Sequence, residues 1–336
     1  MLKLLLRLGL LLGAVGLLGC LGLAAGLRRG YVDAFYARFT SPPAGSLILG
    51  TSRAAQAIKP GVLAARLGQR YEGPWLNYAF TLAESPYGPG YLSSIKRKLA
   101  PGIRRGLFVL AVDPWSLSLP KKLQYRDSGD IPRFQSFKVP IFPEEKSMVS
   151  QLASVSQNPN LDYLAHYLHK PFYQLLLNAD TARVVERLHP DGWLEIALPS
   201  PAANPPLLRR RTAEKLATYR ALAASSHPAD LHLASSRSPA DSRLDYLRQT
   251  IQYLQPHGQV VLVRLPTGPE MAAVETQYQP GFDSSIGELA RSLGVPYLNY
   301  LALPYPTNDG NHLTRTAAAQ LSQRLADDLA RLPAQP

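Results

Sequence analysis

The chain has 336 residues, 46% of them hydrophobic and 18% charged, with a net charge of +12 and one cysteine. That length suits one large or two ordinary domains at roughly 150 residues each, and a lone cysteine rules out an intramolecular disulfide or a cysteine-ligated zinc. The positive charge is scattered over Lys96-Arg97-Lys98, Arg104-Arg105, Lys121-Lys122 and Arg209-Arg210-Arg211 without interleaved aromatics, so no nucleic-acid partner is expected; anionic headgroups, an acidic glycan or plain solvation account for it.

Residues 1–30 read as a membrane anchor. Leu8 to Leu27 is uncharged, bracketed by Lys3 and Arg7 before it and by Arg28 and Arg29 after it. Twenty helical residues at about 1.5 Å each reach about 30 Å, the thickness of a bilayer core. A cleaved signal peptide has a shorter apolar region and a small-x-small cleavage site, which favours an uncleaved single-pass anchor through residues 8–27. An alternative is a lipoprotein anchored at Cys20, because Leu17-Leu18-Gly19-Cys20 resembles a lipobox, although apolar residues continue beyond it. Basic residues on both flanks leave the orientation open on charge grounds.

Residues 31–336 then alternate short apolar runs with helical patterns. Leu47 to Leu49 reads as a strand and Ala54 to Leu67 as a helix; Trp75 to Tyr78 as a strand and Tyr87 to Leu99 as a helix; Leu107 to Val112 as a fully apolar third strand. From about 113 to about 240 the alternation lapses, which predicts an insertion packed on the core as a lid or cap. Within it Leu161 to Leu177 and Thr212 to Ala224 have helical spacing, while LPSPAANPPLLRRR at 198–211 reads as loop. Alternation resumes with a helix over Asp241 to Leu254 and a strand over Val260 to Leu265. A helix over Phe282 to Leu293 closed by Gly294, a strand over Val295 to Leu301 and a helix over Thr314 to Leu332 follow. Five strand-helix units predict an α/β fold of three layers, α/β/α, on a five-stranded parallel, flavodoxin-like sheet. Ligands of such sheets sit beyond the carboxyl ends of the strands, where Ser52 falls.

Ser52 follows the first strand in LILGTSRAAQAI, and the loop after the fifth strand reads TNDGNHLT, with Asp309 three residues before His312. A serine hydroxyl needs a base to become a nucleophile, and the base works best with a carboxylate fixing its tautomer. Ser52 as a helix N-cap, Asp309-Gly310 as a turn and His312 as a packing residue are the competing structural readings. Thr314 is a good N-cap for the last helix.

These two blocks, on either side of five strand-helix units, resemble the SGNH or GDSL-like hydrolase superfamily: Gly50-Thr51-Ser52 is similar to its first block, and Asp309-Gly-Asn-His312 to its last. The resemblance implies Ser52 as nucleophile, His312 as general base and Asp309 as the orienting carboxylate. It implies an oxyanion hole from the serine amide, a glycine amide after the second strand and an asparagine side chain after the third. The chain departs at both later blocks. Asn77-Tyr78-Ala79-Phe80-Thr81 offers the Ala79 amide in place of the glycine, and Val112-Asp113-Pro114-Trp115 has no asparagine. An ionised Asp113 opposes an oxyanion unless it points away or pairs with a cation such as Arg53, and Asn77 or a side chain of the insertion is the expected substitute donor. Arg53 is most simply the partner of a nearby carboxylate, with an acidic substrate as the alternative.

Membrane-anchored polysaccharide O-acetylation proteins resemble this superfamily as well, often with altered middle blocks. The expectation is a membrane-anchored extracytoplasmic serine acyl-esterase or O-acyltransferase. Its partners are an acylated glycan or lipid-linked ester and, for transfer, a membrane protein that donates the acyl group; no cofactor is implied. A pseudoenzyme binding polysaccharide or serving an assembly or export complex is the alternative. An α/β-hydrolase fits less well, since Ala54 stands where G-x-S-x-G needs its last glycine. Asp162, His166 and His169 share a helical face but have no further ligand in view, so no metal site is expected. Trp115 and Tyr305 are candidates for stacking on sugar rings, with core packing the simpler role.

Overall fold

The computed structural model describes residues 1–28, 36–82, 85, 87–120, 185–197, 204–229 and 243–333. The first element, α1 (Leu2–Arg28), is a continuous helix. Its stretch Leu2–Gly22 is long and apolar enough to cross a membrane, and none of it is buried in the protein.

A short helix, α2 (Tyr36–Phe39), leads into β1 (Ser46–Leu49). Then come α3 (Ser52–Ala57), α4 (Pro60–Leu67), β2 (Trp75–Asn77), α5 (Pro89–Lys98) and β3 (Gly106–Ala111). The predicted helix over 54–67 is two helices because Pro60 has no amide to continue the first. It sits instead in the opening turn of α4, after an extended Lys59.

The insertion contributes α6 (Pro114–Leu117), β4 (Leu119–Pro120), a hairpin of β5 (Val185–Leu188) and β6 (Leu194–Ala197), α7 (Pro205–Ser225) and β7 (Ser226–His227). Leu161 to Leu177, and with it Asp162, His166 and His169, lies outside the described residues. The loop reading of 198–211 needs correction at its end. Asn204 Oδ1 accepts the Leu207 amide at 3.1 Å and Pro205 occupies the first turn, where a missing amide costs nothing, so PPLLRRR is already helix.

The remaining elements are α8 (Arg243–Leu254), β8 (Gly258–Arg264), α9 (Pro269–Tyr278), α10 (Phe282–Ser292), β9 (Tyr297–Asn299) and α11 (Arg315–Arg331). Helix α9 is absent from the sequence expectation. Only Met271, Val274 and Glu275 of it are buried, too few to make an apolar stripe.

All five sheet strands are parallel, in the order β2-β1-β3-β8-β9. Counting only these strands the order is 2-1-3-4-5, as in doubly wound flavodoxin-like sheets. Strand alternation splits the core. Leu47, Leu49, Phe108, Leu110, Val260 and Leu262 pack under α5, α8 and α10. Ile48, Leu107, Val109, Val261 and Val263 pack under α3, α4 and α11. The result is three layers, with β3 and β8 buried on both faces, which is why LFVLA and VVLV carry no polar alternation.

The hairpin of the insertion closes the β2 edge. Asn77 N–H donates to Asp191 O at 2.8 Å, and Trp193 Nε1 donates to Gln56 O at 2.8 Å. Gly192 takes φ +80° there, and a Cβ on it would lie 2.2 Å from Asn77 O, so only glycine permits this approach.

Candidate active site

The carboxyl ends of β1 and β9 carry the two blocks singled out in the sequence. After β1 the chain turns at Gly50, at φ +136°, where a Cβ would sit 2.9 Å from that of Ala111. Thr51, not Ser52, is the N-cap residue of α3, and Ser52 is its first helical residue. The capping reading of Ser52 is thereby corrected: its hydroxyl faces the loop 307–314.

That loop is folded on itself. Asn308 N–H donates to His312 O at 2.7 Å, and Asn308 Nδ2 to Leu313 O at 3.1 Å. Gly310 N–H donates to Thr307 Oγ1 at 3.1 Å, and Thr314 caps α11 through the Ala317 amide at 3.3 Å. Asp309 Oδ1 accepts the amides of Asn311 at 3.0 Å and His312 at 2.8 Å, which aims Oδ2 at His312 Nδ1, 2.9 Å away. His312 Nε2 is 2.9 Å from Ser52 Oγ. Ser52, His312 and Asp309 thus form one unbroken hydrogen-bonded line between residues 260 apart in the chain.

Burial pushes the Asp309 carboxyl up, but the facing imidazole, its hydrogen bonds and Lys215 at 3.7 Å outweigh this and hold it well below the usual carboxylate range. An ionised Asp309 accepts from Nδ1–H, which leaves the lone pair on Nε2, the nitrogen that faces the Ser52 hydroxyl. A depressed carboxylate contributes stability above its unfolded value, about 4, and loses it as pH falls toward the folded value. Chemical denaturation should therefore find a gap between the wild type and Asp309→Asn that narrows as the pH falls below about 4. A gap that stays constant into acid would contradict it.

Two expected donors are committed elsewhere, which corrects their assignment. Asn77 is fully buried; its Nδ2 donates to Ala54 O at 2.8 Å and Ile58 O at 2.9 Å, and its Oδ1 accepts the Ala79 amide at 3.2 Å. Neither the Asn77 side chain nor the Ala79 amide is free for a substrate. Their work is to lock the end of β2 to the α3–α4 turn. Asn77→Ala should cost about 3 kcal/mol of stability, from buried groups left unpaired; a loss under about 1 kcal/mol in urea unfolding would sink this view. The Ser52 amide stays available at the helix start, since Ala55 N–H is the first in α3 to bond back, to Thr51 O at 3.1 Å.

Asp113 does not face the serine as a bare anion. Its Oδ1 accepts the Ser116 amide at 2.8 Å and Ser116 Oγ accepts the Asp113 amide at 3.1 Å, a capping box at the start of α6. Its Oδ2 lies 3.7 Å from Arg53 Nη1. Arg53 is itself buried: Nη2 is 2.5 Å from Glu275 Oε1, and Nε and Nη2 reach Asn311 Oδ1 at 2.8 and 2.5 Å. Burial alone would lower its pKa; Glu275 and then Asp113 raise it further than burial lowers it. Arg53 is therefore a buried structural cation, not an exposed substrate clamp. Trp115 is also committed, donating Nε1 to Glu275 at 2.6 Å and stacking on Tyr278 at 4.6 Å, so it is closed to a sugar.

Sequence reasoning missed Asn311, Glu275, Tyr219 and Lys215. Asn311 stood inside the DGNH block but read as a spacer. Glu275 belongs to the helix that lacked an apolar stripe. Tyr219 and Lys215 come from α7, which brings the insertion onto the site: Arg53 lies over the Tyr219 ring at 5.8 Å, and Thr212 meets Gly310. Among known proteins, no family model matches the chain, and no curated protein or solved structure matches it significantly.

Proposed function

We propose that the chain is a serine acyl-esterase or O-acyltransferase of SGNH-like type, held at a membrane by α1, with its main domain outside the cytoplasm and an acyl ester on a glycan or lipid-linked group as substrate. The observation that carries this reading is the Ser52–His312–Asp309 line at the carboxyl edge of the sheet. Ser52 Oγ attacks the ester carbonyl while Nε2 takes its proton; the tetrahedral intermediate collapses, and the imidazolium protonates the leaving alcohol. Water or a sugar hydroxyl, activated in turn by Nε2, releases the acyl group. For transfer, another membrane protein supplies the activated acyl donor. The anchor reading draws on the length and exposure of Leu2–Gly22, and a lipid on Cys20 is its alternative.

A pseudoenzyme is the second reading, because the amide after β2 and the carboxylate after β3 are both tied into the protein. Full-length protein in detergent, given a short-chain aryl ester and a fluorophosphonate, separates the two. The enzyme reading expects turnover and a label on Ser52, both lost in Ser52→Ala; equal turnover or labelling in the two proteins would remove Ser52 as nucleophile.

A further inference from the structure

We infer that the Asn311 carboxamide is the oxyanion donor of this site, with Arg53 as the positioning residue that aims it. The inference rests on the triad reading above and adds to it a group that the resemblance does not supply.

The orientation of Asn311 is decided by charge. Arg53 has only donors, and two of them, Nε and Nη2, converge on one atom of Asn311 at 2.8 and 2.5 Å, so that atom is the carbonyl oxygen. A flipped amide would set its NH₂ against a buried guanidinium. Arg53 is itself held in place, because Glu275 Oε1 lies 2.5 Å from the same Nη2 and Asp113 Oδ2 lies 3.7 Å from Nη1. The Asn311 NH₂ must then face the opposite way. It does, toward Tyr219 Oη at 3.3 Å and His312 Nε2 at 3.2 Å, with Asn311 only 1% exposed.

His312 Nε2 is thus approached by two donors, Asn311 Nδ2 and the Ser52 hydroxyl at 2.9 Å. A neutral imidazole nitrogen has one in-plane lone pair and serves one donor well. In the resting site the hydroxyl takes it, and one N–H of Asn311 is left poorly paired beside the nucleophile.

Acylation changes that balance. The Oγ–H bond breaks, its proton goes to Nε2, Oγ bonds to the carbonyl carbon, and the carbonyl π pair moves onto oxygen. Nε2 now carries hydrogen and repels the Asn311 N–H, while a full negative charge appears on the new oxyanion. The N–H, poorly paired at rest, gains a charged acceptor only as the oxyanion forms, so its bond is made in the transition state and not before it. Together with the Ser52 amide this gives two donors, and it replaces the carboxamide missing at Asp113 with one from the loop 307–314.

The test uses the full chain in detergent with an aryl ester and its thionoester, in which sulfur replaces the carbonyl oxygen and accepts hydrogen bonds weakly. Asn311→Ala should lower kcat on the ester on the order of 10²- to 10³-fold with KM nearly unchanged. The ester-to-thionoester rate ratio should fall with it, which a merely structural residue would not cause. Asn311→Asp keeps an acceptor for Arg53 and near-identical shape, removes the N–H, and should lose at least as much; it serves if the alanine variant fails to fold. If wild type turns over and labels on Ser52 while a folded variant keeps wild-type kcat or the wild-type ratio, this inference falls and the triad reading stands. If wild type neither turns over nor labels, the triad reading fails and takes the inference with it.

Discussion

Glu275→Ala is expected to destabilise the protein by about 3–5 kcal/mol, the range for removing one partner of a buried ionic group. The Glu275 carboxylate is 1% exposed and accepts from three side chains: Arg53 Nη2 at 2.5 Å, Arg264 Nη2 at 2.5 Å and Trp115 Nε1 at 2.6 Å. Burial pushes its pKa up, but the guanidiniums of Arg264 and Arg53 bring it below its ordinary value, so it is an anion between two cations. Without it two buried guanidiniums repel each other. Arg264 would keep Asp283 at 3.4 Å, an oxygen already shared with Tyr297 Oη at 2.6 Å, and Arg53 would keep Asp113 at 3.7 Å. Neither is close enough to repay the loss. Urea unfolding followed by near-ultraviolet circular dichroism measures the change, with Glu275→Gln expected between wild type and alanine because it keeps the shape but not the charge. A loss below about 1 kcal/mol for alanine would mean that Glu275 does not hold this network together.

The second large effect is kinetic. On the proposed esterase reading, Asp309→Asn should reduce kcat on an aryl ester by about 10⁴-fold, as the wrong imidazole tautomer does in serine hydrolases. The physical cause is local. An asparagine can still offer an oxygen to the amides of Asn311 and His312, now 3.0 and 2.8 Å from Oδ1, so the loop keeps its turn. Its NH₂ then meets His312 Nδ1, which becomes the acceptor, and the ring hydrogen moves to Nε2. A protonated Nε2 cannot take the Ser52 proton. Steady-state rates beside wild type and Ser52→Ala measure the loss; a variant within tenfold of wild type would show that the carboxylate does not set the tautomer.

Much of the sheet was legible in the residue pattern. Runs such as LILG, LFVLAV and VVLVRL are too short for helices and too apolar for a one-sided strand, and only the middle of a parallel sheet buries both faces of such runs. The two blocks of the site were legible for a related reason. Each follows a strand directly, and in a doubly wound sheet those positions gather at one edge. Helix boundaries were less legible: Pro60 divides one expected helix, and Pro205 begins another where a loop was expected, because proline opens a helix as readily as it ends one. Helix α9 left no trace because it buries only three residues, and with it Glu275 was hidden.

By itself, the sequence determined the class of fold, the apolar first helix and the pairing of a serine after the first strand with Asp309 and His312 after the fifth. These depend on periodicity and on which strand end a residue follows. Only the tertiary structure decided which polar groups are free. Asn77, Ala79 and Asp113 look like open donors or anions in the sequence, yet each is spent within the protein, on Ala54 and Ile58, on Asn77, and on Ser116 and Arg53. Asn311, an apparent spacer, is turned toward the imidazole by a guanidinium 258 residues away in the chain. A hydrogen-bonding group has chemistry to offer only after its neighbours have taken their share, and those neighbours are assembled by folding.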